Sequence, residues 1–409
     1  MAELFQARTV REARELLGVH IKTGRRAERV PLLEALGRRL AEDVAAVDDV
    51  PGFDRSTMDG FAVRARDTFG ASESLPAYLD ITGEVLMGCE AAGDLEVGQA
   101  WRIPTGGMLP PGADAVVMIE YTEELDDRTI GVTKPVAPGD HVVRAGEDIA
   151  AGSKVLPAGH VLRPQDLGVL SAVGLSEVSV ARPLRVGIIS TGDEVVEPHE
   201  RPGPGQVRDI NSYALYGQAV RAGAQARICG IVRDNFDLLL ERLQQAVAEC
   251  DLVLLSGGSS VGTRDVAAKV LDTLGSPGVL FHGISIKPGK PTVGAVVDGK
   301  PVFGLPGHPV SAMVVFNLLV TPLLKYGAYV DDPLEFPVRA RLKRNMRSAA
   351  GREDYIRVRL NREGGEITAD PVLGKSGLIS TMVQAGGLAR IPADKEGVEA
   401  GEYVEVKLF

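Results

Sequence analysis

The spacing of apolar residues predicts helices on either side of a β-rich stretch in the first half of the chain. Residues 30–43 carry four leucines at helical spacing with charged residues between them, which predicts a surface helix. From residue 51 to 143, short apolar runs such as AVVMIE alternate with Gly and Pro, which favours strands. The stretch RPQDLGVLSAVG is helical again. We therefore expect residues 1–50 and 144–182 to form one discontinuous N-terminal domain around a β-rich insertion at 51–143.

From residue 183 onward, strands and helices alternate regularly. LRVGIIS, ARICGIV and DLVLLS are continuous apolar runs, typical of strands that are buried on both faces, and NSYALYGQAVRAG and NFDLLLERLQQAVAEC are helical. This alternation predicts an αβα domain with a central parallel sheet over residues 183–328. Ligands of such sheets bind at the carboxyl ends of the strands, so we look for the site there.

The last part of the chain, residues 329–409, is predicted to be an all-β domain. In VRARLKR and YIRVRL, apolar and basic residues alternate, and we expect these two strands to form a hairpin around GRED with one basic face. That face could meet an anionic substrate, but we favour the interpretation that it is simply solvated. The expected fold class is therefore multidomain, α/β plus all-β.

Composition limits the classes of function that the protein can have. The chain has 409 residues and a net charge of −10, which argues against a general binder of nucleic acid or anionic membranes but allows a local basic pocket. The three cysteines show neither metal-ligand spacing nor a disulfide framework. The N-terminal residues do not resemble a signal peptide, and the apolar run at 311–320 is too short to span a bilayer. We expect a cytoplasmic protein.

A loop rich in glycine and serine follows the strand DLVLLS. It contains Ser256, Gly257, Gly258, Ser259 and Gly262, and a predicted helix begins directly after it. Glycines let backbone N–H groups approach a phosphate, and the start of a helix favours an anion. The loop could equally be a tight turn between strand and helix, because it matches no established phosphate-binding signature.

Acidic residues follow three strands of the predicted sheet. Glu194, Asp234 and Asp265 would project from the same sheet edge. Each alone could be a helix cap, and for Asp234 that is the commoner role. Together they suggest a divalent cation, for which Mg²⁺ is the first choice because no His or Cys cluster accompanies them; another divalent cation could replace it.

Two rigid loops beyond the sheet could hold an anionic group. In SIKPGKP, Lys287 and Lys290 flank a Pro-Gly turn, and in LPGHPVSA a loop with Pro306 and Pro309 precedes a helix. Paired lysines in a stiff loop can bind phosphate. The alternatives are that the lysines are solvated surface residues and that the prolines are structural.

The β-rich insertion and the segment after it contain further polar residues beside turns. These are Asp59 in DRSTMDGFAV, Thr105 in RIPTGG, and Arg144 and Asp148 in VVRAGEDI. Taken singly, each fits ordinary turn chemistry.

The motifs DRSTMDGFAV, RIPTGG, GADAVV, VRAGEDI, GIISTGDEVV, LSGGSSVGTRD, IKPGKP and LPGHPVSA follow one another along nearly the whole chain. In this order and spacing the chain resembles the molybdopterin molybdenumtransferases, the MoeA and gephyrin E-domain family. The resemblance implies a subunit with a MogA-like αβα domain, a β-rich insertion domain, a discontinuous N-terminal domain and a β-barrel-like C-terminal domain. It also implies a homodimer in which each active site is shared between the two subunits.

The family inserts molybdate into adenylylated molybdopterin and releases AMP in a step that needs a divalent metal. The resemblance assigns catalytic roles to Asp59, Thr105, Glu194, Asp234 and Asp265, the last three also as metal ligands. It assigns substrate binding to the other motif residues already named and to Ser376 in GKSGLIS. It further implies molybdopterin adenylyltransferase and molybdoenzyme assembly factors as partners. Where many relatives have PGNP, this chain has PGHP, with His308 in the Asn position.

Three other functions stay open at this point. The chain could be a molybdopterin adenylyltransferase, whose small sheet domain resembles residues 183–326, but such an enzyme would need neither flanking region. It could be a scaffold of the gephyrin type, although a scaffold would be free to lose the charged residues of the site. A nucleotide-binding module of unknown output is the most general alternative.

Overall fold

The computed structural model describes residues 7–22, 26–257, 264–330, 332 and 335–409, with only the backbone of 264 and 265. The chain divides into two compact units, one formed by Ala27–Ala181 and the other by Met1–Arg26 together with Arg182–Phe409. The α-helices of the described residues are α1 Val10–His20, α2 Pro164–Ala172, α3 Asn211–Arg221, α4 Phe236–Glu249, α5 Arg264–Thr273, α6 Pro309–Val315, α7 Thr321–Tyr326 and α8 Ser380–Val383. Short 3₁₀ turns lie at Leu32–Glu34, Ala65–Thr68 and Ile119–Tyr121, and a π-helical turn, Phe316–Val320, joins α6 to α7.

The unit Ala27–Ala181 is mostly β. Its strands are β1 Ala27–Pro31, β2 Val44–Ala45, β3 Arg55–Ser56, β4 Gly60–Val63, β5 Ala77–Glu84, β6 Gln99–Ile103, β7 Ala115–Met118, β8 Thr122–Asp126, β9 Thr129–Val132, β10 Val142–Val143, β11 Lys154–Leu156 and β12 Glu177–Ala181. Six of them form a sheet in the order β7-β4-β6-β5-β9-β8. The short pairs β1–β12, β2–β11 and β3–β10 are all antiparallel.

We expected residues 1–50 and 144–182 to form one domain. The boundary between the two compact units falls after Arg26, within the first of these ranges. Within Ala27–Ala181, β1 and β12 pair along their whole length. Helix α1 instead belongs to the other unit, where its apolar side chains share a core with Phe281 and Val296 of the α/β sheet. The Thr9 side chain caps α1 and, with Glu12, completes a capping box.

The helix predicted over residues 30–43 is wrong. Strand β1 runs to Pro31, a single 3₁₀ turn follows at Leu32–Glu34, and Gly37 then adopts a positive φ of 73°. Leu33 is 89% exposed and Leu40 is buried, so the leucines do not share one buried face. Their helical spacing was coincidental, because the strand pairing of β1 and the turn at Gly37 override it.

The second unit contains the α/β sheet that the alternating pattern predicts. Its strands and their short neighbours are β13 Arg185–Thr191, β14 Val195–Val196, β15 Val207–Arg208, β16 Gln225–Val232, β17 Leu252–Gly257, β18 Pro277–His282, β19 Ile286–Lys287, β20 Val293–Val297 and β21 Lys300–Leu305. Strands β13, β16 and β17 and helices α3, α4 and α5 confirm the predicted elements.

The sheet order is β16-β13-β17-β21-β20-β18. Four strands form the predicted parallel core of the sheet, and β20 pairs antiparallel with both β21 and β18, so the sheet as a whole is mixed. A two-residue turn, Asp298–Gly299, joins β20 to β21 and forces the antiparallel pairing, with both residues at positive φ. The four parallel strands still present their carboxyl ends at one edge.

A long apolar helix lies in the core of the second unit. It runs continuously through α6, the π turn and α7 from Pro309 to Tyr326 and is apolar enough to cross a membrane by length and composition, but 78% of it is buried inside the protein. Val310, Phe316 and Leu319 are among its fully buried residues. We interpret it as a core helix.

The C-terminal strands close into a small barrel. They are β22 Val338–Leu342, β23 Met346–Arg347, β24 Glu353–Glu363, β25 Glu366–Pro371, β26 Gly387–Ile391, β27 Gly397–Val398 and β28 Tyr403–Leu408. The order is β19-β24-β25-β22-β28-β26, and a further pairing of β26 with β24 closes the ring. The family's expected β-barrel-like C-terminal domain is therefore present.

The predicted basic hairpin is wrong in its pairing. Strand β24 forms its hairpin with β25, while β22 pairs with β25 and β28. The basic side chains nevertheless meet acidic partners on the barrel surface: Arg341 contacts Glu366 at 3.4 Å, and Lys343 pairs with Glu363. This part of the barrel is a solvated, charge-balanced face, as we favoured.

Candidate functional site

A large cleft lies at the carboxyl edge of the parallel strands. Its volume is about 1270 Å³, and it is lined by the ends of β13, β17 and β21, by the loop after β19, and by the near side of the C-terminal barrel. Among the predicted site residues, the cleft brings together Glu194, Asp234, Ser256, Gly257, Lys287, Lys290, Pro306, Pro309 and Ser376. The residues that we selected at the strand ends therefore line one cleft, and their roles there stay a prediction.

The acidic rim of the cleft forms where β13 and β16 end. The Thr191 hydroxyl donates to Asp234 Oδ1 at 2.8 Å, which fixes that carboxylate at the rim. Glu194 follows the end of β13, and the carboxylates of Glu194 and Asp234 both line the cleft. A side chain at Gly257, where φ is +115°, would lie 2.0 Å from the Thr191 carbonyl oxygen, so the start of the glycine-serine loop requires glycine.

The buried side-chain amide of Asn211, at the start of α3, connects this helix with the ends of β17 and β21 beneath the rim. Asn211 Nδ2 donates to Ser256 Oγ at 2.7 Å and to the Gly307 carbonyl at 2.9 Å. Its Oδ1 is buried with no partner among the described residues. Asn211 is not among the predicted site residues, since a polar residue at the start of a helix normally suggests a helix cap.

The lysine loop is held by the C-terminal barrel. Strand β19 pairs in parallel with β24, placing Lys287 opposite Asp354, and the Lys287 Nζ lies 4.0 Å from an Asp354 carboxylate oxygen. Gly289 has φ of +125°, and a side chain there would clash with Ile286 and Val315 at under 3 Å. The turn between Lys287 and Lys290 is therefore closely packed underneath, and both lysines line the cleft.

The barrel contributes cations that the sequence analysis missed. Arg347, Arg352, Arg357 and Lys375 line the cleft, as does Arg208 from the α/β region. Arg357 donates to Thr381 Oγ1 at 3.1 Å and to the Gly374 carbonyl at 2.7 Å, and desolvation lowers its pKa. From the alternation within β24, we assigned its arginines to a solvated face. The closure of the barrel, which the sequence does not reveal, places Arg357 at the cleft instead.

Ser376 meets the loop that carries the two prolines. His308 Nδ1 and Ser376 Oγ are 2.8 Å apart, and the Val310 N–H donates to the Ser376 carbonyl at 3.2 Å. Pro306 and Pro309 are buried and flank this contact. His308 is thus a hydrogen-bonding partner of a predicted site residue.

The cleft has the opposite charge balance to the whole chain. Among the residues that the structure describes, seven lysines and arginines line it against four carboxylates, although the protein as a whole carries −10. The seven are Arg208, Lys287, Lys290, Arg347, Arg352, Arg357 and Lys375, and the four are Glu194, Asp209, Asp234 and Asp354. Such local focusing favours an anionic ligand.

The predicted site residues of the insertion motifs lie in the other compact unit. There the Thr105 N–H donates to Asp59 Oδ1 at 2.7 Å, and the Asp148 N–H donates to the Val50 carbonyl. The Arg144 N–H donates to Glu147, and the adjacent β10 pairs with β3 of the DRSTMDG motif. The three motifs therefore meet within this unit.

The structure describes only some of the residues predicted to bind a metal ion. Among the described side chains no group of three His, Cys, Asp or Glu residues could hold a metal ion. The side chain of Asp265, the third predicted ligand, lies outside the described residues, as do Gly258, Ser259 and Gly262 of the glycine-serine loop. Glu194 and Asp234 supply hard oxygen donors at one rim, a donor set that fits a hard cation such as Mg²⁺.

Similar proteins cover nearly the full chain. A molybdopterin molybdenumtransferase of Bacillus subtilis is 33% identical over 95% of this chain and 91% of its own length. Molybdopterin molybdenumtransferase 2 of Mycobacterium tuberculosis is 34% identical, with coverage of 92% and 94%. A solved structure of the molybdopterin biosynthesis moeA protein from Pyrococcus horikoshii OT3 is 35% identical with a TM-score of 0.84, covering 99% of this chain and 100% of that one.

Fold and cleft define an α/β protein with a C-terminal barrel and a cation-rich cleft at the carboxyl edge of its parallel strands. Its sequence matches the profiles of the MoeA N-terminal region (domain I and II) over residues 8–174, a probable molybdopterin binding domain over 187–326 and the MoeA C-terminal region (domain IV) over 339–409. The chain belongs to the molybdopterin molybdenumtransferase family.

Proposed function

We propose that the protein is a molybdopterin molybdenumtransferase, which inserts molybdate into adenylylated molybdopterin and releases AMP in molybdenum cofactor biosynthesis. The observation that carries this proposal is the cleft, in which the described residues place acidic groups at one rim and an excess of cations around the rest. A substrate with a pyrophosphate needs both, because its negative charge must be neutralised while the leaving phosphate is stabilised.

The side chains of the cleft would bind and orient the substrate. Lys287 and Lys290, in a turn that packing beneath Gly289 makes rigid, would neutralise the phosphate groups. Arg357, already desolvated and fixed by two hydrogen bonds, would hold a further anionic group without much loss of side-chain entropy. No nucleophile from the protein is required for this reaction, so we assign catalysis to positioning and charge stabilisation.

A divalent cation, for which Mg²⁺ is our first choice, would be held by Glu194 and Asp234 together with Asp265. When bound, it would supply charge neutralisation for the phosphoanhydride and its leaving group. The Thr191 hydroxyl holds Asp234 ready at the rim, which is a supporting interaction that a ligating carboxylate usually has.

The test follows AMP after the protein is mixed with adenylylated molybdopterin, molybdate and Mg²⁺. We expect release that depends on molybdate and that falls by about 100-fold in Asp234→Asn, the range expected when electrostatic stabilisation is removed. Asp237→Asn is the matched control, because Asp237 lies in the first turn of α4 and does not line the cleft. ATP consumption on free molybdopterin, with no AMP release that needs molybdate, would instead support an adenylyltransferase.

We further propose that the enzyme is a cytoplasmic homodimer with its active site shared between subunits, and that molybdopterin adenylyltransferase and molybdoenzyme assembly factors are its partners. Asp59 and Thr105, which the structure joins at 2.7 Å, would be the contribution of the second subunit. Mixing Asp59→Ala with Asp234→Asn, two variants expected to be strongly impaired in AMP release, tests this arrangement. Activity that returns on mixing supports a shared site, whereas continued inactivity after subunit exchange, in a dimer verified by light scattering, would oppose it.

A further inference from the structure

A pair of cysteines lies in the α/β sheet region and plays no part in the chemistry proposed above. Cys229 is in β16, the strand at the sheet edge, and Cys250 follows the last residue of α4. The two sulfur atoms, of Cys250 and Cys229, lie 3.0 and 3.5 Å from the position that a Cβ at Gly187 would occupy. Because Gly187 has no side chain, both sulfurs share the space above β13.

A β-bulge brings Cys229 to this position. The pairing of β13 with β16 passes from Ile188 opposite Ile228 to Ser190 opposite Ile231, so one extra residue of β16 is accommodated there. Gly230, with φ of +95°, supplies the backbone conformation that the bulge needs. An edge strand with a bulge can adjust locally more easily than a central strand, and that freedom would help two nearby sulfurs to approach bonding distance.

The two thiols differ in exposure and in acidity. Cys229 is partly exposed, whereas Cys250 is buried. The neighbouring Cys250 thiol lowers the pKa of the Cys229 thiol, and the nearby Arg227 and Arg242 act in the same direction. The same contact and burial raise the pKa of Cys250. This is the asymmetry of a reactive sulfur beside a second thiol that can resolve it.

We propose that Cys229 and Cys250 form a peroxide-sensitive dithiol that closes reversibly to a disulfide. The Cys229 thiolate attacks hydrogen peroxide, breaks the O–O bond, and becomes a sulfenic acid while hydroxide leaves. The Cys250 sulfur, giving up its proton, then attacks the sulfenic sulfur, which forms the S–S bond and releases water. Two thiols are oxidised and one peroxide is reduced, so no other oxidant is needed.

The alternative is that the two cysteines are only small apolar residues of the core. Cys250 alone fits that role, since it is buried within an apolar cluster. Cys229 packs against the same cluster, but it is also partly exposed and lies near two arginines, which a purely apolar role does not require. The proposal does not depend on the enzymatic activity inferred above.

The experiment uses the full-length chain with Cys89→Ser, which removes the exposed third cysteine. The protein is treated with a small excess of hydrogen peroxide, free thiols are blocked with iodoacetamide, and the digest is examined by mass spectrometry. We expect the peptides with Cys229 and Cys250 to be joined, with loss of two hydrogen atoms, and to separate again after dithiothreitol.

Single variants distinguish the two roles. In Cys250→Ala, Cys229 should be overoxidised to the sulfinic acid, because its resolving thiol is gone, and in Cys229→Ser, Cys250 should stay reduced. Thermal unfolding checks that each variant is folded. The proposal is overturned if, after peroxide treatment of the folded Cys89→Ser protein, both thiols still react with iodoacetamide once the protein is denatured, or if Cys229 forms equal amounts of sulfinic acid with and without Cys250.

Discussion

At the scale of single residues, the difference between a cleft cation and a surface cation lies in what surrounds it. Lys290 lines the cleft and is carried on a turn with tightly packed backbone, whereas Arg341 projects from the barrel and already meets Glu366. The sequence predicted Lys290 from its rigid loop. It could not select Arg208 or Arg357, because their position depends on contacts between segments far apart in the chain.

Replacing Lys290 with alanine should weaken AMP binding by about 10-fold, the effect of losing one charge-assisted hydrogen bond. Arg341→Ala should change the affinity by less than about 2-fold, since exposed pairs contribute little. Calorimetric titration with AMP measures both. Similar losses in the two variants would mean that the basic pocket is misplaced.

The turn between the two cleft lysines depends on Gly289. Alanine there would be strained at φ of +125° and would also clash with Ile286 and Val315. We expect Gly289→Ala to displace the lysines and weaken AMP binding about as much as Lys290→Ala does.

Gly223→Ala provides the matched control for this prediction. Gly223 also has a positive φ, of +84°, but a Cβ there meets nothing within 4 Å. This variant should lose about 1 kcal/mol of unfolding free energy from the backbone alone and keep its AMP affinity. Unchanged AMP binding in Gly289→Ala would show that the turn does not set the lysine positions.

At the scale of elements, partly buried charges tie α1 to the C-terminal barrel. Arg14 in α1 donates to Glu335 at 2.6 and 3.1 Å, and Lys407 in β28 approaches the same carboxylate at 3.2 Å. Burial opposes ionisation of Glu335, yet the hydrogen bond from Arg14 and the charge of Lys407 outweigh it and lower its pKa. Burial lowers the pKa of Lys407. Arg14, which makes two hydrogen bonds to Glu335, is therefore the principal partner of this carboxylate.

Because the folded-state pKa of Glu335 is depressed, its contribution to stability is present above the unfolded pKa of about 4.3 and is lost as the pH falls through the folded value. Glu335→Gln should lower the unfolding free energy by about 2 kcal/mol near neutral pH, since two partly buried cations lose their anion. Its deficit relative to wild type should shrink as the pH is lowered.

Glu363→Gln is the comparison for Glu335→Gln. Glu363 pairs with Lys343 on the surface, and we expect a loss below about 1 kcal/mol. Urea unfolding of all three proteins at several pH values measures these differences. A deficit in Glu335→Gln that stays constant into acid would contradict the assignment.

Sequence patterns predicted elements well where the pattern itself determines the structure. Continuous apolar runs identified β13, β16 and β17, because a strand buried on both faces leaves little choice of residues. They failed for the hairpin of VRARLKR with YIRVRL, since alternation sets which side chains share a face and says nothing about which strand is the neighbour. The barrel closure is such a long-range choice.

At the scale of the whole molecule, one compact unit is inserted into the other. Ala27 and Ala181 are opposite each other at the ends of β1 and β12, and in the other unit the Arg182 N–H donates to the Arg26 carbonyl at 2.8 Å. The ends of the insertion are therefore adjacent, as is usual for domains inserted within a chain.

We expect the fragment of residues 27–181 to fold alone with a cooperative thermal transition, because its strands pair among themselves and it has its own apolar core. Circular dichroism and thermal unfolding of the purified fragment measure this. A fragment that shows no cooperative transition would indicate that its stability depends on the rest of the chain.

The pairing of β19 with β24 makes the lysine turn rely on a strand more than sixty residues away in sequence. Truncation after the long core helix would leave every strand of the α/β sheet in place but would remove the support of that turn. We therefore expect such a shortened protein to keep a folded sheet but to lose affinity for AMP. A truncation far downstream would then have the same effect on binding as a substitution in the cleft.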